Sequence, residues 1–512
     1  MKYVIFFFML ISLRSLAQPG IPRFTPQANL IPLQEKKVEV PQPFRQLTDT
    51  NRVLRVPTDY QPQVFWVGNL VKPRMLRIGF IQGNPYTQLF VTDMVNNGGI
   101  YRFQISSTNQ FGDSLIPVVL GVKANDFRFL GYSLFVAEET RILKFEDWND
   151  DGYYETQQVL IPNLMEGADF PSGGHSTRSI EIVNNKLYVS IGSYCNACRE
   201  SNRAVILEYN LDGSGRRVYA SGIRNAVGLC EKDGKLVANN NGSDWLGNDL
   251  PGEWIDEIRD GGFYGYPYAF GNQVWVDLEG HSDYRNLKPI TASDSAKVAS
   301  MQQPLALIQA HSAPMALEYV PQLEVQKGLA QFTYPGFLCV LRGSWNRSPA
   351  TGYKVVFLHQ PKPDSLIESV SDFVSGFLTD SLTGKHWGRP VGLAIARYAD
   401  ASTHYFLSLD APQGMILHLI DQSPQVGLSR VAKESTWVSY PNPFSNQLLL
   451  EWKGSSPAVL RLINLEGKEL LKQPVNRGLN ELVTEMLPAG MYLIELKTPE
   501  HTLYKRIIKQ PQ

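Results

Sequence analysis

The chain has 512 residues, enough for more than one core, and 43% of them are hydrophobic, so a globular protein of two or three units is expected. Its 48 Lys and Arg against 49 Asp and Glu exclude a nucleic-acid clamp or a polybasic membrane patch and leave small molecules as the natural partners. Four cysteines in this length exclude a disulfide scaffold.

The N-terminus, "MKYVIFFFMLISLRSLAQ", sets Lys2 before an apolar run from Tyr3 to Leu13, with small Ser15 and Ala17 ahead of Gln18. That layout reads as a cleaved secretory signal over residues 1–17, since the run is shorter than the ~20 residues a spanning helix needs. No other stretch reads as a membrane span, so a secreted chain is expected. Residues 18–58 form a proline-rich N-terminal segment, of which the stretch from Pro19 to about Pro43 reads as extended and poorly ordered.

Over residues 59–424 short β-like segments dominate, and one pattern recurs. "LFVTD" from Leu89, "LFVAEE" from Leu134, "LYVSIG" from Leu187, "LVANNN" from Leu236, "LCVLRGS" from Leu338 and "YFLSLD" from Tyr405 each run strand-forming residues into a polar end. Six copies at irregular spacings predict an all-β, six-bladed β-propeller, taken here with these segments as the innermost strands. Their polar ends would then meet at one mouth of the central channel.

In chain order, "DWNDDGYYE" offers oxygens at Asp147, Asn149 and Asp151 before Gly152, the first half of an EF-hand-like loop. Its twelfth position is Gln158, so the reading stands between structural calcium and an Asp/Asn-rich hairpin turn. "GGHSTRSIEI" places His175 between two glycines and a strand, either a loop cap or a tunable base in a ligand pocket. "CNAC" pairs Cys195 with Cys198, a candidate local disulfide in an exported chain, while Cys230 and Cys339 read as buried thiols. Arg199 follows the pair, so a c-type haem motif is not completed.

"SGIRNAVGL" sets the donor fork of Arg224 beside Asn225, a combination suited to an anionic cofactor. "NNNGSDWLGND", "AHSAPMALEY" with His311, "LRGSWNRSPATGYKVV" with Arg342 and "WGRPVGLAI" with Arg389 bring further polar and aromatic residues to predicted strand ends. Residues 425–435 read as a linker, and 436–512 alternate strands with turns such as Glu466-Gly467 and Ala489-Gly490, a small β-sandwich.

The succession "GGHSTRSIEI", "GIRNAVGL", "GGFYGYP", "AHSAP", "GSWNRS" and "WGRP", from about residue 60 to 422, resembles the glucose/sorbosone dehydrogenase family, six-bladed propellers that use pyrroloquinoline quinone (PQQ). That resemblance implies a secreted sugar or aldehyde dehydrogenase. His175 would be its general base, and Arg224, Asn225, His311, Arg342 and Arg389 would contact the cofactor. The backbone of Gly242 and Ser243 would hold the cofactor's calcium, although "NNNGSDWLGND" departs from the glucose enzymes' version of that loop. The tail, with "YPNPF", "LINLEGKEL" and "LPAGMYLIEL", resembles a C-terminal sorting domain of the type IX secretion system of Bacteroidetes, implying that machinery as a partner. Two other classes remain open: a non-catalytic binding propeller, and a calcium-dependent lactonase-like hydrolase, for which Asp249, Asp256 and Glu257 are the nearest carboxylates. The electron acceptor is not encoded in any recognised segment.

Overall fold

The computed structural model describes residues 20–509, apart from 80, 82–86, 109–110, 150, 155, 322–334, 363, 399–401, 423–436, 441–443, 445, 455, 465–468, 489 and 499–501. The expected signal segment, the linker and the turns at 441–443, 466–467 and 489 lie outside or at the edge of that description. The chain divides into two units, one ending at residue 423 and one beginning at 424.

Among the described residues of the first unit, six sheets follow one another as blades, each with four antiparallel strands, and the third adds short Gly262–Phe263 in parallel at its outer edge. Their first strands are Pro73–Gly79, Asp126–Leu130, Ile180–Val183, Leu229–Lys232, Pro314–Val320 and Pro390–Arg397. Each first strand neighbours the first strand of the next blade, so these six ring the channel. The recurring segments are therefore the second strands and not the innermost ones. Blade 5 shows why they read so strongly: Gly336–Leu341 is buried along its whole length between neighbouring sheets.

The polar ends of these repeats explain how the ring holds together. Buried Thr92, Ser190, Asn239 and Ser408 each donate to a backbone carbonyl of a neighbouring blade: Asn125 at 3.1 Å, Ala226 at 2.6 Å, Met315 at 2.6 Å and Arg74 at 2.5 Å. A buried hydroxyl or amide without such a partner costs about 1–3 kcal/mol, so these positions tolerate polarity only because the next blade is there. Blade 6 is closed by chain-distant Tyr60–Val67, paired antiparallel with Met415–Asp421 from Tyr60↔Asp421 to Val67↔Met415.

The proline-rich segment, expected to be poorly ordered, is fixed from residue 20 onward. Its backbone satisfies outer blade edges: Thr25 N–H donates to Leu307 O at 2.7 Å, Ala28 N–H to Val370 O at 2.7 Å, and Arg55 exchanges hydrogen bonds with Ser375. Leu33–Lys37 pairs with Val53–Pro57 in a hairpin whose Leu54 and Val56 are fully buried. The extended backbone that prolines impose is what sheet edges need as a cover.

The second unit has a three-stranded sheet (Trp437–Tyr440, Gln447–Trp452, Gly478–Val483) and a four-stranded one (Glu469–Val475, Ala458–Asn464, Gly490–Lys497, Thr502–Lys509). Leu448, Leu450, Leu460, Leu462, Ile494 and Ile507 form its dry core, giving the expected β-sandwich. No described helix is long and apolar enough to cross a membrane.

Candidate active site

Second strands end where first strands begin, so both sets of loops share one mouth of the channel. His175, Arg224, Asn225, His311 and Arg389 precede first strands, whereas Gly242, Ser243 and Arg342 follow second strands. All of the mouth candidates thus come to one end of the propeller.

His175 is held from both sides. Its N–H donates to Ser193 O at 2.9 Å, and its ring Nδ1 lies 2.8 Å from the same carbonyl. A carbonyl only accepts, so Nδ1 carries the proton and Nε2 keeps its lone pair. Nε2 has no hydrogen-bond partner among the described residues. Burial, and next the charge of Arg224, lower the His175 pKa from 6.5 to about 3, so the ring is a neutral base at ordinary pH. The glycine directly before it serves the protein's own backbone: a Cβ on Gly174, at φ +63°, would meet Tyr194 Cα at 2.4 Å.

Two fully buried arginines, which the sequence reading missed, fix this loop. Arg178 donates to His175 O at 2.6 Å and to Glu139 O at 2.9 Å. Arg203 donates to Gly192 O at 3.0 Å, Phe170 O at 2.8 Å and Gly173 O at 2.8 Å. Their only sequence signal is an arginine set directly before an apolar strand.

Arg224 and Asn225 divide the roles expected of them jointly. Arg224 is committed to the protein, donating to Asn196 O at 3.1 Å, Gly242 O at 2.6 Å and the Asp244 carboxylate at 3.2 Å. Asn225 instead leaves its buried Oδ1 without a partner. That oxygen flanks Gly192, where a Cβ would lie 2.7 Å from it and 2.6 Å from His175 Cβ. A buried acceptor left open beside an open imidazole nitrogen is a place for a ligand's donor.

Across the mouth, Asp410 is wedged between Arg74 at 2.6 Å and Arg342 at 2.9 Å. Arg389 donates to the Arg342 carbonyl at 3.3 Å and lies over the Tyr353 ring. Burial and then the charge of Arg74 lower the Lys72 pKa, and burial and then Arg342 lower that of Arg389. One carboxylate therefore faces four cations. Both Nη atoms of Arg342 lack partners among the described residues, leaving donors for an added anion.

The model of the TrAA12-like family matches residues 54–419, the six blades with their closing strand. The chain belongs to the TrAA12-like family. A model of the secretion system C-terminal sorting domain matches residues 438–510, so the second unit directs type IX export to the cell surface or beyond. The fold is similar to the holo form of the PQQ domain of pyranose dehydrogenase from Coprinopsis cinerea, with TM-score 0.55, 20% identity, and coverage of 74% of this chain and 98% of that one. It is also similar to the family AA12 enzyme of Trichoderma reesei in an iodide structure, with TM-score 0.54, 18% identity, and coverage of 72% and 97%. An uncharacterized protein of Borreliella burgdorferi is 30% identical over 234 residues, 44% of this chain, and the chain spans 56% of that relative's length.

The remaining candidates of this TrAA12-like chain are engaged by protein. His311 Nε2 donates to Gly247 O at 2.9 Å and Leu250 O at 3.1 Å, which pins the loop beyond Asp244. Gly242 packs against Pro251 and Glu253, whose carboxyl burial pushes up to about 7. Asn149 and Asp151 form successive Asx turns, and Asp147 closes the loop by accepting from Asp151 N–H at 3.1 Å and Gly152 N–H at 2.8 Å. Asp249, Asp256 and Glu257 do not converge: Asp249 pairs with Arg347, Glu257 with Lys235, and Asp256 is buried inside blade 4. Cys195 and Cys198 form the disulfide considered above, and Cys230 and Cys339 are buried thiols.

Proposed function

We propose that the chain is an exported PQQ-dependent oxidoreductase acting on a CH–OH group or aldehyde hydrate of a sugar, with His175 Nε2 as its base. The observation that carries this reading is the open Nε2 lone pair beside the unpartnered Asn225 Oδ1, opposite a cluster with more cations than carboxylates. PQQ, when bound, supplies a two-electron acceptor carrying carboxylates. Arg342 and Arg389 would hold those carboxylates, and Asn225 Oδ1 would accept from a donor on the cofactor or substrate.

Ser193 O holds the imidazole in the tautomer that takes the substrate hydroxyl proton at Nε2, and Arg178 and Arg203 hold the loop that presents it. The neighbouring arginines disfavour a charged imidazolium, so Nε2 would hold the substrate proton only briefly and release it to solvent at the channel mouth, while the hydride would pass to the bound two-electron acceptor. The calcium expected on Gly242 and Ser243 fits less well, because the Gly242 carbonyl already accepts a hydrogen bond from the Arg224 guanidinium.

The test is dye reduction over a sugar panel by the chain supplied with PQQ. Turnover that requires PQQ and falls roughly 10²- to 10⁴-fold in His175→Ala, with quinone affinity little changed, supports the reading. Absence of quinone binding by calorimetry rejects it in favour of a non-catalytic surface propeller.

A further inference from the structure

Two indoles stand at the same mouth without a part in the quinone reading. Trp245 is 49% exposed and Trp345 68% exposed, in the loops after the second strands of blades 4 and 5. They are fixed despite that exposure. The Trp245 ring lies nearly parallel to His281, centroids 5.5 Å apart and planes at 20°, and Trp345 meets it edge-on at 5.7 Å and 89°. Trp245 also holds φ at +69°, a left-handed conformation a bulky residue adopts only where its surroundings enforce it.

The enforcing group is Asp244. Its carboxylate takes Asn346 Nδ2 at 2.7 Å and Arg224 at 3.2 Å, its N–H donates to Asn196 Oδ1 at 2.6 Å, and the Tyr284 hydroxyl donates to its carbonyl. Asp244 directly precedes Trp245, and Asn346 directly follows Trp345, so one partly buried polar junction sets both rings. Arg224 belongs to that junction and also bears on His175, which ties the indole corner to the candidate site.

Two preorganised aromatic faces at a right angle, in loops that also carry Asn248, Asp249 and Arg347, match the chemistry of a pyranose ring. Its C–H faces stack on indoles while its hydroxyls bond to amides, guanidinium and carboxylate. A carboxylated quinone would instead seek buried cations, and a lipid would need a continuous apolar area without these polar residues.

We propose that Trp245 and Trp345 form a carbohydrate subsite that holds one sugar unit while a neighbouring unit faces His175, so that the substrate is a saccharide chain and not a free monosaccharide. The proposal rests on the sugar-oxidoreductase reading for the second unit's fate, but the binding itself needs no cofactor. The experiment is therefore calorimetry on the cofactor-free full chain with β- and α-linked gluco-, xylo-, manno- and chito-oligosaccharides of one to four units.

The expected result is that one series binds more tightly as it lengthens, and that Trp245→Ala and Trp345→Ala each weaken the tetrasaccharide roughly 3- to 10-fold while Trp→Phe variants retain most of the affinity. Affinity independent of chain length, binding unchanged in both alanine variants, or no binding across the panel would each overturn the subsite. Chain-length-dependent saccharide binding without any PQQ binding would remove the oxidoreductase reading and leave the subsite standing. PQQ-dependent turnover of monosaccharides with no saccharide-chain preference would do the reverse.

Discussion

At the scale of single residues, the site is governed by who satisfies each charge. His175 is kept neutral by burial and by Arg224, so between about pH 3 and 6.5 the folded protein binds fewer protons there than the unfolded chain. Its contribution to stability is full above pH 6.5 and is lost as pH falls toward 3. The acid limb of kcat/KM near pH 6 that an ordinary histidine base gives is accordingly expected to be absent, which a pH–rate profile in a wide-range buffer checks. Asp410 is the reverse case: it joins Arg74 and Arg342, and Asp410→Ala leaves two cations facing each other. A loss of about 3–5 kcal/mol in denaturant unfolding is expected, against a much smaller effect for the exposed pair partner Asp249→Ala.

At the scale of elements, the 193–203 loop is the joint of the site. Ser193 sets the His175 tautomer, Asn196 receives Arg224, Tyr194 stacks on Phe170 at 4.1 Å, and the Cys195–Cys198 disulfide closes the turn among them. Converting both cysteines to serine is expected to leave far-UV circular dichroism unchanged while lowering turnover by up to ~10²-fold, the scale of a misplacement near 1 Å. Unchanged turnover would show that the surrounding hydrogen bonds suffice. The second strands make a parallel point. Their polar ends read in the sequence as mouth-lining residues, and Thr92, Ser190, Asn239 and Ser408 instead latch one blade to another, because a repeat shows which positions are equivalent without showing what each one touches.

At the scale of the whole molecule, the ring is closed by a strand from its other end, and the sorting unit has a core of its own. Removing residues 424–512 is therefore expected to leave the propeller's thermal transition within a degree or two of its original position, while removing Tyr60–Val67 abolishes it, since blade 6 would lose its outer strand and ring closure. Scanning calorimetry of the two truncations checks this. The same truncation of the tail is expected to hold the protein back from type IX export.

The sequence by itself determined the β architecture, the number of blades, the sandwich tail and the motifs that reach the mouth, because strand alternation, turn residues and repeats are local and survive without coordinates. It also put His175, Arg224 and Asn225 forward together as candidates, on residue types that suit proton removal and hydrogen bonding to a ligand. Only the tertiary structure decided which candidates remain available. Arg224 and His311 are taken by Asn196, Gly242, Asp244, Gly247 and Leu250, while Arg178, Arg203, Arg74 and Asp410 enter from other loops to hold what the motifs present. The reason is physical: a buried polar group's role depends on its partners, and in a closed ring those partners come from blades far away in the chain.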